Sequence, residues 1–279
     1  MIAGQRRGSA PKNRPGIGRG RLPVVLLVPA LVGLVFLGLP LLAVLIRAPW
    51  SSLGHLLSEQ TVGQALRLSL ETAAIATAVS TLVGVPTAWV LARLRFPGRR
   101  LLRTVVTLPL VLPPVVGGVA LLYVFGRKGI LGPLLADLGI SIPFTTAGVV
   151  IAETFVAMPF LVVTVEGALI GQDERFEEAA ATLGAGAWTT FRRVTLPLVA
   201  PSVGAGAVLC FARALGEFGA TITFAGNLPG TTQTLPLAVY IGLETNPNAA
   251  IALSLLLLAV SLTILFALRG RWAGGMVRA

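Results

Sequence analysis

Charged side chains are scarce in this chain of 279 residues. Asp, Glu, Lys and Arg make up 12% of the sequence, whereas hydrophobic residues make up 55%. A soluble domain carries roughly 25% charged residues, so water would solvate a globule of this composition poorly. Lipid must surround much of the chain, and in lipid the backbone has to satisfy its own hydrogen bonds, as a helix does. The composition therefore predicts an all-α integral membrane protein.

Cysteine and histidine each occur once. Cys210 lies inside an apolar run and cannot form an intrachain disulfide, and His55 stands alone in a predicted loop, so we expect no metal site. The sequence also lacks a phosphate-binding G-x-x-x-x-G-K-[ST] loop and a polar stretch long enough for a nucleotide-binding domain. We therefore expect a chain that is not an ATP-hydrolysing enzyme and that binds no nucleotide cofactor itself.

Six apolar runs each reach about 20 residues, the length that a helix needs to cross about 30 Å of hydrocarbon. Before them, residues 1–21 are basic and rich in Gly and Pro, which predicts a disordered tail. Residues 22–272 are predicted to form one transmembrane domain. Its predicted spans are 23–46, 65–92, 104–126, 145–170, 198–225 and 248–269.

The net charge of +11 raises the alternative of a nucleic-acid-binding protein. The basic residues, however, lie at the edges of apolar runs, so we expect no nucleic-acid partner. Most of them fall in the N-terminal tail, in 93–103, in 175–193 and at the C-terminal end, while the other side holds little beyond Arg47, Arg127 and Lys128. Cytoplasmic loops carry the excess of Lys and Arg, so both termini and the segment 171–197 are predicted to be cytoplasmic.

Two loops and one span have unusual features. The segment 171–197 is predicted to be a helical pair that Gly184 interrupts, which makes it available for a docking partner. The outer loop 226–247 is rich in Gly, Pro, Thr and Asn and is predicted to be irregular and exposed. Pro113 and Pro114 are expected to kink span three, which suits a substrate pathway and equally suits plain packing.

Span five carries a charge near its middle. Arg213 would be costly there without a partner, and Glu217 lies one helical turn later. The two are expected to pair, either lining a pathway or fixing helix packing. Thr221 and Thr223 could offer hydroxyls to an anion, but bonding back to the helix is favoured. The remaining acidic residues of the spans are expected at the interfaces: Glu71, Glu153 and Glu166.

One motif within 171–197 points to a family. Glu178-Ala179-Ala180 is followed after three residues by Gly184, and after nine more by Val194, Thr195, Leu196 and Pro197. This resembles the loop signature of bacterial ABC importer permeases: Glu-Ala-Ala, three residues, Gly, nine residues, an aliphatic residue, one residue, Leu-Pro. The resemblance implies the type I permease fold, with Glu178, Ala179, Ala180, Gly184, Leu196 and Pro197 forming a coupling loop.

The resemblance also implies partners and a location. A dimer of ABC ATPase subunits would use ATP and dock on the coupling loop, and an extracytoplasmic oxyanion-binding protein would deliver the substrate. A second copy of the chain would complete the pathway as a homodimer in the lipid bilayer. The location implied is a bacterial or archaeal cell (inner) membrane.

Residues 108–118 and 211–240 look like the molybdate permease subgroup. Gly216-Glu217-Phe218-Gly219 is shared in related form by sulfate and thiosulfate permeases, but Phe218 and the following Ala220-Thr221 favour molybdate or tungstate. The implied function is therefore a molybdate importer permease, with a sulfate or thiosulfate permease as the alternative and an ion-driven secondary transporter less favoured. The candidate pathway residues are Arg213, Glu217, Thr221, Thr223, Pro113 and Pro114.

Overall fold

The computed structural model describes residues 24–276, with side chains described from residue 26 to residue 266. The predicted disordered tail, residues 1–21, lies outside this range. The first helix, α1 (Val24–Ile46), belongs to a compact unit of its own. It is apolar around its whole circumference, as a helix in contact with lipid is.

The second unit begins at Arg47, and its regular secondary structure over the residues described is helical, with loops between the helices. Its helices are α2 (Leu53–Ser58), α3 (Gln60–Arg93), α4 (Arg99–Thr107), α5 (Pro114–Phe125), α6 (Gly132–Asp137), α7 (Thr146–Gly171), α8 (Arg175–Thr182), α9 (Ala187–Thr190), α10 (Leu196–Leu215), α11 (Gly219–Phe224), α12 (Leu235–Thr245) and α13 (Pro247–Met276). Five helices between residues 24 and 276 are long and apolar enough to cross a membrane, and the bent pair α4–α5 adds a sixth when it counts as one span.

The core of the second unit lies where α3, α7 and α10 pack together. Small side chains such as Ala76 and Ala88 on α3 meet Leu161 and Val165 on α7 and the buried thiol of Cys210 on α10. Alanines allow two helix backbones to approach closely, which is how helices associate when the surrounding lipid is as apolar as their side chains. These three helices form the frame on which the candidate site is built.

The predicted third span, 104–126, is not one helix. After α4 the chain forms a 3-10 turn at Leu108–Leu110, and α5 then starts at an angle of 117° to the first half. Pro113 has an extended backbone, with φ −55° and ψ 131°, because the residue before a proline avoids the helical region. The sequence predicted a kink within one helix, whereas the structure has a full interruption of the helix between Leu110 and Pro114.

The predicted fifth span, 198–225, also ends early. Helix α10 stops at Leu215, and the chain leaves the helical path at Gly216 before α11 begins at Gly219. The carboxylate of Glu217 accepts a hydrogen bond from the backbone N–H of Ala220, at 2.8 Å. This contact satisfies a free donor in the first turn of α11 and makes a new helix start possible.

Within the segment 226–247, residues 226–234 are irregular, as the composition predicted for the whole segment. Residues Leu235–Thr245 form α12, with Pro236 in the first turn, where a proline fits without losing a hydrogen bond. Leu235 packs with Val62 and Ala65 of α3 and with Leu253 of α13. Burial of this apolar face outweighed the turn-forming residues that precede it.

Candidate functional site

The segment that carries the importer signature forms two short helices that lead into α10. Helix α8 comes first and ends before Gly184, and α9 runs directly into a π turn at Phe191–Thr195. Leu196 begins α10, and Pro197 occupies the first turn, where its missing N–H costs nothing.

Gly184 closes α8 in a left-handed conformation with φ +84°. Its N–H donates to the carbonyl of Ala181 at 2.9 Å, and the N–H of Ala185 donates to the carbonyl of Ala180 at 3.0 Å. This pair of bonds is a Schellman motif, which favours glycine at the left-handed position. A Cβ at Gly184 would meet no atom within 4 Å, so backbone conformation, not space, demands glycine here. The helix break predicted at this residue is present.

The outer side of α8 is open to a partner. Glu178 and Ala179 are exposed, Ala180 is half-buried, and the large apolar side chains of Phe176 and Leu183 stand in the open. Small residues beside exposed apolar ones give a surface that another protein can approach closely. The signature residues of α8 therefore lie on accessible surface and not in the core.

The inner side of α8 is held by a residue that the sequence analysis did not single out. Glu177 accepts hydrogen bonds from the Nε atom of Arg93, at 3.1 Å, and from the hydroxyl of Thr195, at 2.8 Å. The side chain of Arg93 is only 8% exposed. One carboxylate therefore joins α8 to the last turn of α3 and to the residue that precedes α10. Arg93 and Glu177 are 84 positions apart, so no local spacing could have revealed the pair.

Replacing Glu177 by Ala is expected to lower the free energy of unfolding by about 2 kcal/mol, because Arg93 would remain nearly buried without its main acceptor. The matched control is Glu174→Ala. Glu174 also contacts Arg93, but at 3.4 Å and with 67% of its side chain exposed, so its loss is expected to cost less than about 0.5 kcal/mol. Thermal unfolding of the purified variants in detergent measures both, and equal losses would contradict the assignment to Glu177.

The predicted pair in span five is confirmed. The Nη2 atom of Arg213 lies 2.6 Å from the Oε2 atom of Glu217, and their side chains are 26% and 1% exposed. The other carboxylate oxygen of Glu217 accepts the Ala220 N–H described above. The pair thus occupies the break between α10 and α11, with the arginine on the more accessible side.

The two threonines of α11 differ. The hydroxyl of Thr223 donates to the carbonyl of Gly219 at 2.8 Å, as predicted. Thr221 is fully buried, and its hydroxyl has no hydrogen-bond partner among the described residues, so the predicted back-bond was wrong for it. A helical threonine usually donates to the carbonyl four residues earlier. For Thr221 that residue is Glu217, which lies before the start of α11.

The broken elements α5 and α11 pack directly against each other. A Cβ at Gly118 would lie 2.7 Å from the Cβ of Thr223 and 2.8 Å from the carbonyl oxygen of Ala220. A Cβ at Gly219 would lie 2.9 Å from the Cβ of Pro114. The structure thus brings the start of α5, at Pro113 and Pro114, to the helix that follows the Arg213–Glu217 pair.

Glu153 is enclosed by other helices, which the interfacial placement predicted from the sequence did not anticipate. It is buried on α7, where it lies on the same helical face as Val149 and Val156, and its Oε1 atom lies 3.0 Å from the hydroxyl of Thr72 on α3. Glu166 is also buried and pairs with Arg103 of α4. Glu71 is largely exposed, as expected for an interfacial residue. The buried apolar neighbours at helical spacing were the signal that could have located Glu153.

Similarity to known proteins agrees with this architecture. Residues 80–273 match the family described as binding-protein-dependent transport system inner membrane component. The molybdenum transport system permease protein ModB of Mycobacterium tuberculosis (strain ATCC 25618 / H37Rv) is 51% identical over 250 residues, which cover 90% of this chain and 95% of that protein. The sulfate transport system permease protein CysT of Escherichia coli (strain K12) is 37% identical over 225 residues, covering 80% and 81% of the two chains.

A solved structure has the same fold. A chain in the crystal structure of a bacterial ABC transporter involved in the import of the acidic polysaccharide alginate aligns with a TM-score of 0.73 at 18% identity, covering 90% of this chain and 94% of that one. The predicted all-α permease fold of type I is thereby confirmed. The chain is a multi-pass membrane protein and belongs to the binding-protein-dependent transport system inner membrane component family.

Proposed function

We propose that this chain is the membrane-spanning permease subunit of an ATP-driven importer of molybdate or tungstate. The observation that carries the proposal is the signature segment, which forms an exposed helix closed by a left-handed glycine and anchored to α3 and α10 through Glu177. Such a segment suits a docking element whose movement must reach the spans. The 51% identity to a protein named as a molybdenum transport permease supports the substrate.

The coupling loop docks on a separate ATPase. Glu178, Ala179 and Ala180 face the partner, Gly184 ends the docking helix, and Leu196 and Pro197 lead its movement into α10. Because Glu177 binds both Arg93 and Thr195, a rotation of α8 pulls on the ends of α3 and α10 together. ATP is bound and hydrolysed by the partner ATPase dimer, and this chain binds no cofactor.

The pathway runs beside the break between α10 and α11. Arg213 is the group that attracts an oxyanion, and Glu217 holds it in place, since a carboxylate on the route would repel the substrate. Thr221 and Thr223 lie on α11, the short helix that follows the break. Pro113 and Pro114 lie at the start of α5, which packs on α11. Two copies of the chain enclose the route, and an extracytoplasmic binding protein loads its outer mouth. Both termini lie in the cytoplasm.

Sulfate or thiosulfate is the second candidate substrate. The relative named as a sulfate permease is 37% identical, against 51% for the relative named as a molybdenum permease, which favours molybdate. Selectivity in such an importer belongs largely to the binding protein, because a pathway must release what it conducts. An ion-driven transporter would need no docking loop, which argues against the third alternative.

The test is uptake of labelled molybdate into vesicles that hold this chain, its ATPase and its binding protein. Gly184→Val is expected to abolish most of the uptake, because a β-branched residue at φ +84° costs roughly 1–2 kcal/mol and opens the end of α8. That cost lowers the equilibrium constant for closing the helix end by about tenfold. The control is Gly186→Val, at an exposed site with φ −70° where a Cβ meets nothing within 4 Å.

Each outcome separates one part of the proposal. Uptake of sulfate in place of molybdate would transfer the function to the second candidate. Uptake without the ATPase would overturn the importer itself. Equal uptake by the Gly184 and Gly186 variants, both inserted in normal amounts, would contradict the role of the coupling loop.

A further inference from the structure

We propose that a pocket at the start of α4 binds the phosphate headgroup of an anionic phospholipid. The pocket has a volume of about 490 Å³ and lies where the chain passes from α3 to α4. It is lined by four arginines and two other residues: Arg95, Phe96, Gly98, Arg99, Arg100 and Arg103. None of the lining residues is acidic, so the cavity concentrates positive charge.

Two of the arginines build the pocket. Arg99 donates from its Nε atom to the carbonyl of Leu91 at 2.7 Å and so holds the start of α4 against the end of α3. Arg103 pairs with Glu166 and ties α4 to α7. These contacts fix the walls, because each uses a charged group on a rigid helix.

The other two arginines are free to take a ligand. The side chains of Arg95 and Arg100 are exposed, and their guanidinium groups have no hydrogen bond or ion pair with any residue that the structure describes. A guanidinium presents a planar fork of donors that matches the oxygens of a phosphate. Two such forks on one cavity are suited to a phosphate monoanion.

The neighbouring surface identifies the source of that phosphate as a lipid. Leu101, Val105 and Leu108 are exposed and recur at i, i+4 and i+7, so they form an apolar stripe along α4 and its 3-10 turn. The stripe starts beside Arg100 and runs away from the pocket. A phospholipid satisfies both features, with its headgroup on the arginines and an acyl chain along the stripe.

Other occupants fit one feature only. A soluble anion or an acidic protein surface would leave the stripe uncovered. A second copy of this chain, docked by a two-fold axis through this face, would set Arg95 and Arg100 against the same residues of its mate.

The test measures phospholipid bound to the purified full-length chain by native mass spectrometry during titration with phosphatidylglycerol. The variant Arg95→Gln/Arg100→Gln is expected to bind about 25-fold more weakly, since each cation near an anionic headgroup contributes about 1 kcal/mol. The control Arg127→Gln/Lys128→Gln removes the same charge at exposed residues outside the pocket and is expected to bind normally. Arg95→Lys/Arg100→Lys keeps both charges but loses the planar forks, so its affinity is expected to lie between those of the wild type and the double Gln variant.

Several results would overturn the proposal. Equal affinity for phosphatidylcholine, or equal losses in the two Gln variants, would show that no headgroup site exists. Inorganic phosphate displacing the lipid at comparable concentration would assign the pocket to a soluble anion. Loss of ATPase copurification in Arg95→Gln/Arg100→Gln with lipid binding unchanged would assign it to a protein partner.

Discussion

Replacing Arg213 by Met is expected to lower the free energy of unfolding by about 3 kcal/mol and to abolish uptake. Glu217 is 1% exposed, so the substitution would leave a buried carboxylate without its cation. Removing one partner of a buried ion pair costs far more than the pair itself contributes, because the remaining charge keeps its desolvation penalty. Thermal unfolding in detergent and molybdate uptake in vesicles measure the two effects separately.

The double variant Arg213→Met/Glu217→Gln separates packing from transport. With both charges gone, much of the lost stability is expected to return, since neutral groups of similar volume fill the same space. The Gln side-chain oxygen can still accept the Ala220 N–H. Uptake is expected to remain absent, because the oxyanion has lost its cation. Recovery of uptake together with stability would show that the pair only fixes helix packing.

A natural control lies in α3. Arg67 and Glu71 also pair at i and i+4 with a 2.6 Å contact, but their side chains are 79% and 52% exposed. Exposed pairs contribute little, so Arg67→Met is expected to change neither unfolding nor uptake measurably. A loss as large as that of Arg213→Met would mean that burial is not what makes the span-five pair important.

Replacing Gly118 by Ala is expected to destabilise the protein by about 2 kcal/mol and to reduce uptake strongly. The new methyl group would lie 2.8 Å from the carbonyl oxygen of Ala220 and 2.7 Å from the Cβ of Thr223. Neither atom is the end of a flexible side chain, so α5 and α11 must move apart. Since α11 follows directly after Glu217, the displacement reaches the ion pair.

Gly204→Ala provides the comparison. Gly204 lies in α10, where a Cβ would meet nothing within 4 Å. Alanine favours a helix over glycine by about 1 kcal/mol, so this variant is expected to be unchanged or slightly more stable. The same chemical change therefore has opposite signs at two helical glycines. Similar unfolding temperatures for both variants would contradict the close packing of α5 on α11.

The features predicted well from sequence are those set by local spacing. Apolar run length gave the helical membrane class, the motif spacing located α8 and its end at Gly184, and the four-residue interval paired Arg213 with Glu217. Each depends only on residues close in the chain, where helical geometry determines what meets what.

The features that were missed depend on tertiary contacts. The Arg93–Glu177 contact joins residues far apart in sequence. The burial of Glu153 was missed because its hydrogen-bond partner, Thr72, lies on a different helix, α3. The breaks after Leu110 and Leu215 were underestimated, since apolar composition continues through them while the backbone does not. Hydropathy indicates whether a segment lies in lipid or in water, but it does not indicate where the helical hydrogen bonds of that segment end.

The π turn at Phe191–Thr195 has a geometric consequence for the docking loop. A π turn holds one more residue than an α-helical turn. The connection between α9 and α10 is therefore one residue longer than a continuous α-helix would need. If the turn were rewound to the α-helical pattern, α9 would swing by about 100° around the axis of α10 and shift by about 1.5 Å along it. The number of residues in this turn therefore fixes the direction in which the docking surface faces relative to α10.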